Sequence, residues 1–88
     1  MKRYKSLVRT CLAEWALSYR KRRSLTQEQM AEQLRITSRA YGDLERGRYC
    51  FSAIALLMFL SILSAEERNA FFIDFRSRLS KLEQSEAV

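Results

Sequence analysis

Gln27, Ser38 and Arg39 carry donors suited to a phosphate backbone and to the edges of bases. The planar guanidinium of Arg39 can bond guanine as a bidentate pair, worth ~1–3 kcal/mol of discrimination. Arg46 and Arg48 follow a short way along the chain. All five lie in or beside residues 26–47, TQEQMAEQLRITSRAYGDLERG, which read as two short helices joined by a tight turn. That spacing suits a helix-turn-helix, in which one helix sets its N-terminus against a phosphate and the next enters the major groove. Gln27 then falls in the first turn of the leading helix, beside free amides. Ser38 and Arg39 open the recognition helix, about residues 38–46, and face the groove.

Other chemistries are poorly supplied. The chain has no His, and its two cysteines, Cys11 and Cys50, are far apart with no metal-ligand spacing. No metal or cofactor is expected, and both cysteines read as reduced, buried hydrophobes. There is no phosphate-cradling Gly-rich loop and no convincing carboxylate pair, so an enzyme is not expected. Charge is unevenly spread: residues 1–48 hold twelve Lys and Arg against five Asp and Glu, residues 49–88 four against five. A basic half beside a nearly neutral, apolar half points to a polyanion-binding part and a part for core or assembly.

The elements that must position these side chains are all helical. Eighty-eight residues with no proline and two glycines favour a single all-α domain with short connections. Residues from about Lys5 to Arg22 show helical periodicity through Val8, Leu12, Trp15 or Ala16, and Tyr19. Thr26 caps the second helix in a capping box with Gln29, with Met30, Ala31 and Leu34 inward. Thr37 caps the third, with Ala40, Tyr41 and Leu44 inward, and Gly47 ends it. Ser52 caps a fourth, from Ala53 to about Leu63. Ser64 and Glu67 box the start of a fifth, about 65–81, after which LEQSEAV is expected to fray. Lys2, Arg3 and Lys5 read as a frayed end or a basic arm. No signal peptide is read, and the most apolar run has eleven residues where a membrane span needs roughly 20, so a cytoplasmic protein is expected.

Residues 16–63 resemble the Cro/repressor-type (XRE-like) helix-turn-helix family. The matching pattern is Arg20, Leu25-Thr26-Gln27, Met30-Ala31, Leu34, Ile36-Thr37, Leu44-Glu45-Arg46-Gly47, Ser52, Leu56 and Leu63. The resemblance implies a compact five-helix bundle of the lambda-repressor-like type. It also implies that Gln27, Ser38 and Arg39 contact phosphate and bases, that Thr37, Gly42 and Asp43 approach DNA, and that Arg46 and Arg48 grip the backbone. It makes Arg20 and Glu45 a structural ion pair. Two residues depart from the pattern. Arg35 stands where the turn commonly has glycine, and a left-handed backbone there costs roughly 1 kcal/mol, so an altered turn is expected. Gly42 lies inside the recognition helix, and reads either as a close approach to DNA or to a neighbouring helix, or as a tolerated surface glycine. Asp43 would repel phosphate, so it either accepts from a cytosine amino group or partners Arg39 or Arg46, with an effect against wrong bases. Tyr41 reads as core. Arg22 and Arg23 read as solvated or as phosphate contacts.

Ten of the eleven residues from Ala53 to Leu63 are apolar, so that helix must be covered all round. Ala53, Leu56, Leu57, Leu60 and Leu63 are assigned to the core. Ile54, Met58 and Ile62, with Phe71, Phe72 and Phe75 of the fifth helix, are assigned to a homodimer interface; the alternative is that the first and fifth helices cover them within one chain. The expectation is a homodimeric regulator of transcription from a bacterium or phage, most simply a repressor. It would bind a near-palindromic double-stranded DNA operator, its recognition helices roughly 34 Å apart. The rival is a protein–protein adaptor or antitoxin-like module with weak or no DNA binding and an unidentified protein partner.

Overall fold

Four helix starts follow from local side-chain chemistry. The Thr26 hydroxyl accepts from Gln29 N at 3.0 Å while Gln29 Oε1 accepts from Thr26 N at 2.9 Å, closing the capping box. Thr37 and Ser52 cap through Ala40 N and Ala55 N, both at 3.1 Å. Ser64 and Glu67 form the second reciprocal pair. The computed structural model describes residues 2–86, and these are arranged as α1 (Lys2–Arg22), α2 (Gln27–Leu34), α3 (Ser38–Glu45), α4 (Ala53–Ile62) and α5 (Ala65–Glu86). Among the described residues the fold is an all-α bundle of five helices, as the sequence implied.

Three helices end the same way. In each, the left-handed residue bonds to a carbonyl three back, and the residue after it to one five back. The pairs are Leu25 N to Arg20 O with Ser24 N to Lys21 O, Ile36 N to Ala31 O with Arg35 N to Glu32 O, and Arg48 N to Asp43 O with Gly47 N to Leu44 O. This is the Schellman arrangement, and it needs a left-handed residue at its pivot. Gly47 takes φ 75° as expected. Arg35 takes φ 59°, so the turn is kept rather than altered, and Ser24 takes φ 55°, which the sequence had not signalled. A Schellman turn usually adds an apolar contact from its last residue. Leu25 and Ile36 supply it by packing on the core.

The core gathers one side of every helix. Cys11, Met30, Leu34, Tyr41 and Phe59 are its largest fully buried side chains. Phe59 is its aromatic centre, meeting Tyr19 edge-on at 6.1 Å and Phe51 at 5.9 Å. The sequence does not single it out, because an apolar helix does not announce which side faces in. Several expectations are corrected here. Leu57 and Ala53 are exposed rather than core, and so is Ala40. Phe71 is 5% exposed, edge-on to Trp15 at 5.5 Å, so it belongs to this chain's own core and not to the expected interface.

α5 is tied along α1. Trp15 Nε1 donates to Asp74 Oδ2 at 2.7 Å, Arg78 bridges Asp74 at 3.1 Å and Glu14 at 2.7 Å, and Tyr4 donates to Glu83 at 3.2 Å. Arg23 is paired with Glu67 at 3.0 Å and lies over the Tyr19 ring, with Arg22 3.6 Å from the same carboxylate. Both arginines stay exposed, as expected, and also share Glu67 as a partner. Arg68 donates to Leu60 O and Leu63 O, satisfying carbonyls at the end of α4. Packing against α1 also explains why α5 runs to Glu86, past the expected end at Lys81, and why residues from Lys2 onward are helical rather than an arm. Ala87 and Val88, the last of the segment expected to fray, lie outside the described residues.

Candidate nucleic-acid interface

α3 is held from behind by a single carboxylate. Glu45, at its last turn, accepts from Arg20 Nε at 2.7 Å, Arg20 NH2 at 3.0 Å, the Tyr41 hydroxyl at 2.6 Å and Gln27 Nε2 at 2.9 Å. One group thus joins α1, the start of α2 and α3. Burial pushes the Glu45 carboxyl up, but the Arg20, Tyr41 and Gln27 donors outweigh it and hold it below its ordinary value. Burial, then the bond to Glu45, raises the Tyr41 hydroxyl, which stays protonated as a donor. Arg20 also donates to Leu25 O at 3.0 Å, pinning the connection into α2. The expected Arg20–Glu45 pair is present, and Tyr41 and Gln27 enlarge it.

With Tyr41 and Leu44 turned inward, the other side of α3 is open. Residues 38, 39, 42, 43 and 46 share that side by helical spacing. Ser38 and Arg39 are exposed in the first turn, and Arg39 makes no ion pair among the described residues. Thr37 is exposed, but its hydroxyl is occupied by the cap to Ala40 N. Gly42 is buried. A Cβ there would lie 3.4 Å from Arg46 NH1 and 3.6 Å from Gln27 Oε1. These are ordinary contact distances to the ends of two flexible side chains, so Gly42 lies covered by Arg46 and Gln27 without a contact in the chain that requires glycine.

Asp43 sits between two cations. Arg46 NH2 is 2.8 Å from Asp43 Oδ1 and Arg48 NH1 is 3.6 Å from the same oxygen. The partner role expected for Asp43 is therefore met by Arg46 and Arg48, not Arg39. Tyr49 was not anticipated. It is 59% exposed beside Arg48, whose guanidinium lies 5.9 Å from its ring. Nothing local in the sequence distinguished it from a core aromatic. Gln27, Ser38, Arg39, Arg46 and Arg48 are thus exposed in or beside one helix-turn-helix, fixed by the Glu45 hub.

Among the described residues no group of three or more Cys, Asp or Glu is placed to hold a metal ion, and no helix is long and apolar enough to cross a membrane. Neither the curated proteins nor the solved structures gave a match. A family model described as Helix-turn-helix matches residues 17–63, more than half of the chain and the whole of α2, α3 and α4. With that match over this geometry, the chain belongs to the Cro/repressor-type, XRE-like helix-turn-helix family of DNA-binding transcription regulators.

Proposed function

We propose that this chain binds double-stranded DNA sequence-specifically as a homodimer and represses transcription, working on cytoplasmic DNA. The reading rests chiefly on Arg39, exposed and uncommitted at the start of a helix whose other side is rigidly anchored. In this reading α3 lies in the major groove with Ser38 and Arg39 at base edges. Gln27, Thr37, Arg46 and Arg48 contact or approach the backbone, and Gly42 and Asp43 face the groove beside them. Preorganisation favours this, because the Glu45 hub has already ordered the frame before DNA arrives.

Residues 1–88 act as one domain, with α4 and α5 as its assembly surface. Ile54, Leu57, Phe72 and Ile73 are 68%, 66%, 48% and 62% exposed. Met58, Ile62 and Phe75 are half-buried beside them. A wholly apolar groove, lined in part by Leu56, Leu60, Phe72 and Phe75, lies between α1, α4 and α5. An apolar surface of this kind marks an interaction site, and a two-fold partner would cover it. Two recognition helices then meet successive major grooves roughly 34 Å apart on a near-palindromic operator.

The Asp43 pairing favours a second reading, since it neutralises two cations of the proposed DNA face. An adaptor or antitoxin-like module would bind a protein through the same fold and DNA weakly or not at all. Titration of a duplex at several salt concentrations separates the two. Phosphate binding must weaken steeply as salt rises. Binding that is absent, or indifferent to salt, supports the adaptor. Sedimentation equilibrium tests assembly, and a monomer at tens of micromolar would remove the dimer.

A further inference from the structure

Asp43 is an unusual neighbour for a DNA-reading face. It is the last residue but two of α3, and its main-chain oxygen accepts from Arg48 N at 2.9 Å in the Schellman turn. In the turns after α1 and α2 the last residue, Leu25 or Ile36, packs against the core. In this third turn the corresponding residue is Arg48, and an ion pair to the Asp43 carboxylate stands in place of the apolar contact. The same carboxylate holds Arg46 at 2.8 Å. Asp43 is itself only 17% exposed at its side chain, while Arg46 and Arg48 are 58% and 62% exposed. The cations lie outermost, so an approaching phosphate meets them first and must draw them off the carboxylate.

We infer that Asp43 is a specificity-determining residue that holds Arg46 and Arg48 in the free protein. It releases them to phosphate without loss only over a base pair whose amino edge takes the carboxylate in their place. This rests on the proposed DNA binding and adds a rule to it. The major-groove donor matched to an acidic side chain is the cytosine N4 amino group. Over such a base, both arginines turn to the backbone and the carboxylate keeps a partner. Over an acceptor edge, the freed carboxylate faces like charge, so the arginines stay with Asp43 and the phosphates lose two contacts. The cost falls on wrong sequences, and random DNA is bound more weakly than the count of arginines implies.

The test compares the wild-type protein with Asp43→Asn and Asp43→Ala, using fluorescence anisotropy on a random-sequence duplex across a salt series. Glu83→Gln, which removes one negative charge from α5 where it meets Tyr4 of α1, controls for net charge. Circular dichroism melting confirms that each variant is folded. Freeing one or two arginines steepens the slope of log K against log salt by about 0.9–1.8 and tightens random-duplex binding on the order of tenfold, with the control within about twofold. Selection from random DNA then yields a site with a fixed cytosine for the wild type and loses that preference for Asp43→Ala. A variant slope and random-duplex affinity matching those of Glu83→Gln overturn the inference and leave DNA binding intact. Absence of salt-dependent binding by every protein, wild type included, overturns both.

Discussion

Replacing Glu45 with alanine strikes the group on which the whole recognition frame converges. The carboxylate accepts four hydrogen bonds from Arg20, Tyr41 and Gln27. Tyr41 is fully buried, so its hydroxyl would be left without a partner, at about 1–3 kcal/mol. Breaking a fully buried ion pair costs roughly 3–5 kcal/mol. Here the Arg20 side chain is 17% exposed and retains Leu25 O, so water and that carbonyl reduce its share to about 1–2 kcal/mol. Gln27 is exposed and turns to solvent at little cost. The total is about 3 kcal/mol, a large fraction of the roughly 5–15 kcal/mol typical of a domain, and lowers Tm by roughly 15 °C at this size. Urea unfolding followed by circular dichroism measures it. Tyr41→Phe alone should cost about 1.5 kcal/mol, the bond being to a charged acceptor. In that background Glu45→Ala should cost about 1.5 kcal/mol less than it does alone, because the orphaned hydroxyl is gone. A loss below about 1 kcal/mol, or strict additivity of the two changes, would refute the idea of a hub.

Acid should destabilise the fold in a defined window. Arg23 holds the Glu67 carboxyl down to about 2, and the Trp15 bond lowers Asp74, so both bind protons more readily when unfolded. Their contribution is complete above the ordinary glutamate value of 4.5 and is lost as pH falls toward 2; Glu67→Gln should flatten that decline in a series of thermal melts. Phe59→Ala should cost about 3–5 kcal/mol in chemical denaturation, since its ring is wholly buried between Tyr19 and Phe51. Arg35→Gly should raise stability by roughly 0.5 kcal/mol, as relief of the left-handed backbone at φ 59° exceeds the added chain entropy. An unchanged or lower Tm would show that the Arg35 bond to Gln33 O matters more. Ile54→Glu with Leu57→Glu should shift a dimer to monomer in sedimentation while leaving helix content unchanged, as both side chains are about two-thirds exposed in the single chain.

What was legible in the sequence was what is local or repeated. Thr26 with Gln29, Thr37, Ser52, and Ser64 with Glu67 each act within one turn, and they placed four helix starts correctly. Gly47 announced its turn because glycine is the cheapest left-handed residue. Ser24 and Arg35 make equivalent turns at a cost their identities do not advertise. Arg20 with Glu45 came from the family pattern, but Tyr41 and Gln27 joined them only in three dimensions. Periodicity failed most clearly on α4, where every side is apolar. Phe59 and Ala55 face in while Leu57 faces out, and the elements packed against α4, with α2 and Tyr19 of α1 among them, decide between them. Phe71 is equally ambiguous in the sequence, and it is the Trp15 ring of α1 that makes it core. Of the candidate site, Arg39 and Ser38 were legible from their place after a capping threonine. The grip of Asp43 on Arg46 and Arg48 depends on a backbone turn that brings Arg48 back over the helix end.

The claim at the centre of this account is that Arg39 reads a base. Its most direct test is the affinity of wild-type and Arg39→Ala proteins for a duplex selected from random DNA and for a scrambled duplex, at one fixed salt concentration. Removing a bidentate guanine contact should cut the preference for the selected duplex by roughly 10–100-fold while scrambled DNA is still bound. Gln27→Ala, in the same titration, should weaken both duplexes alike. A selected-to-scrambled ratio that is the same for Arg39→Ala as for the wild type would contradict the assignment of α3 as the reading helix.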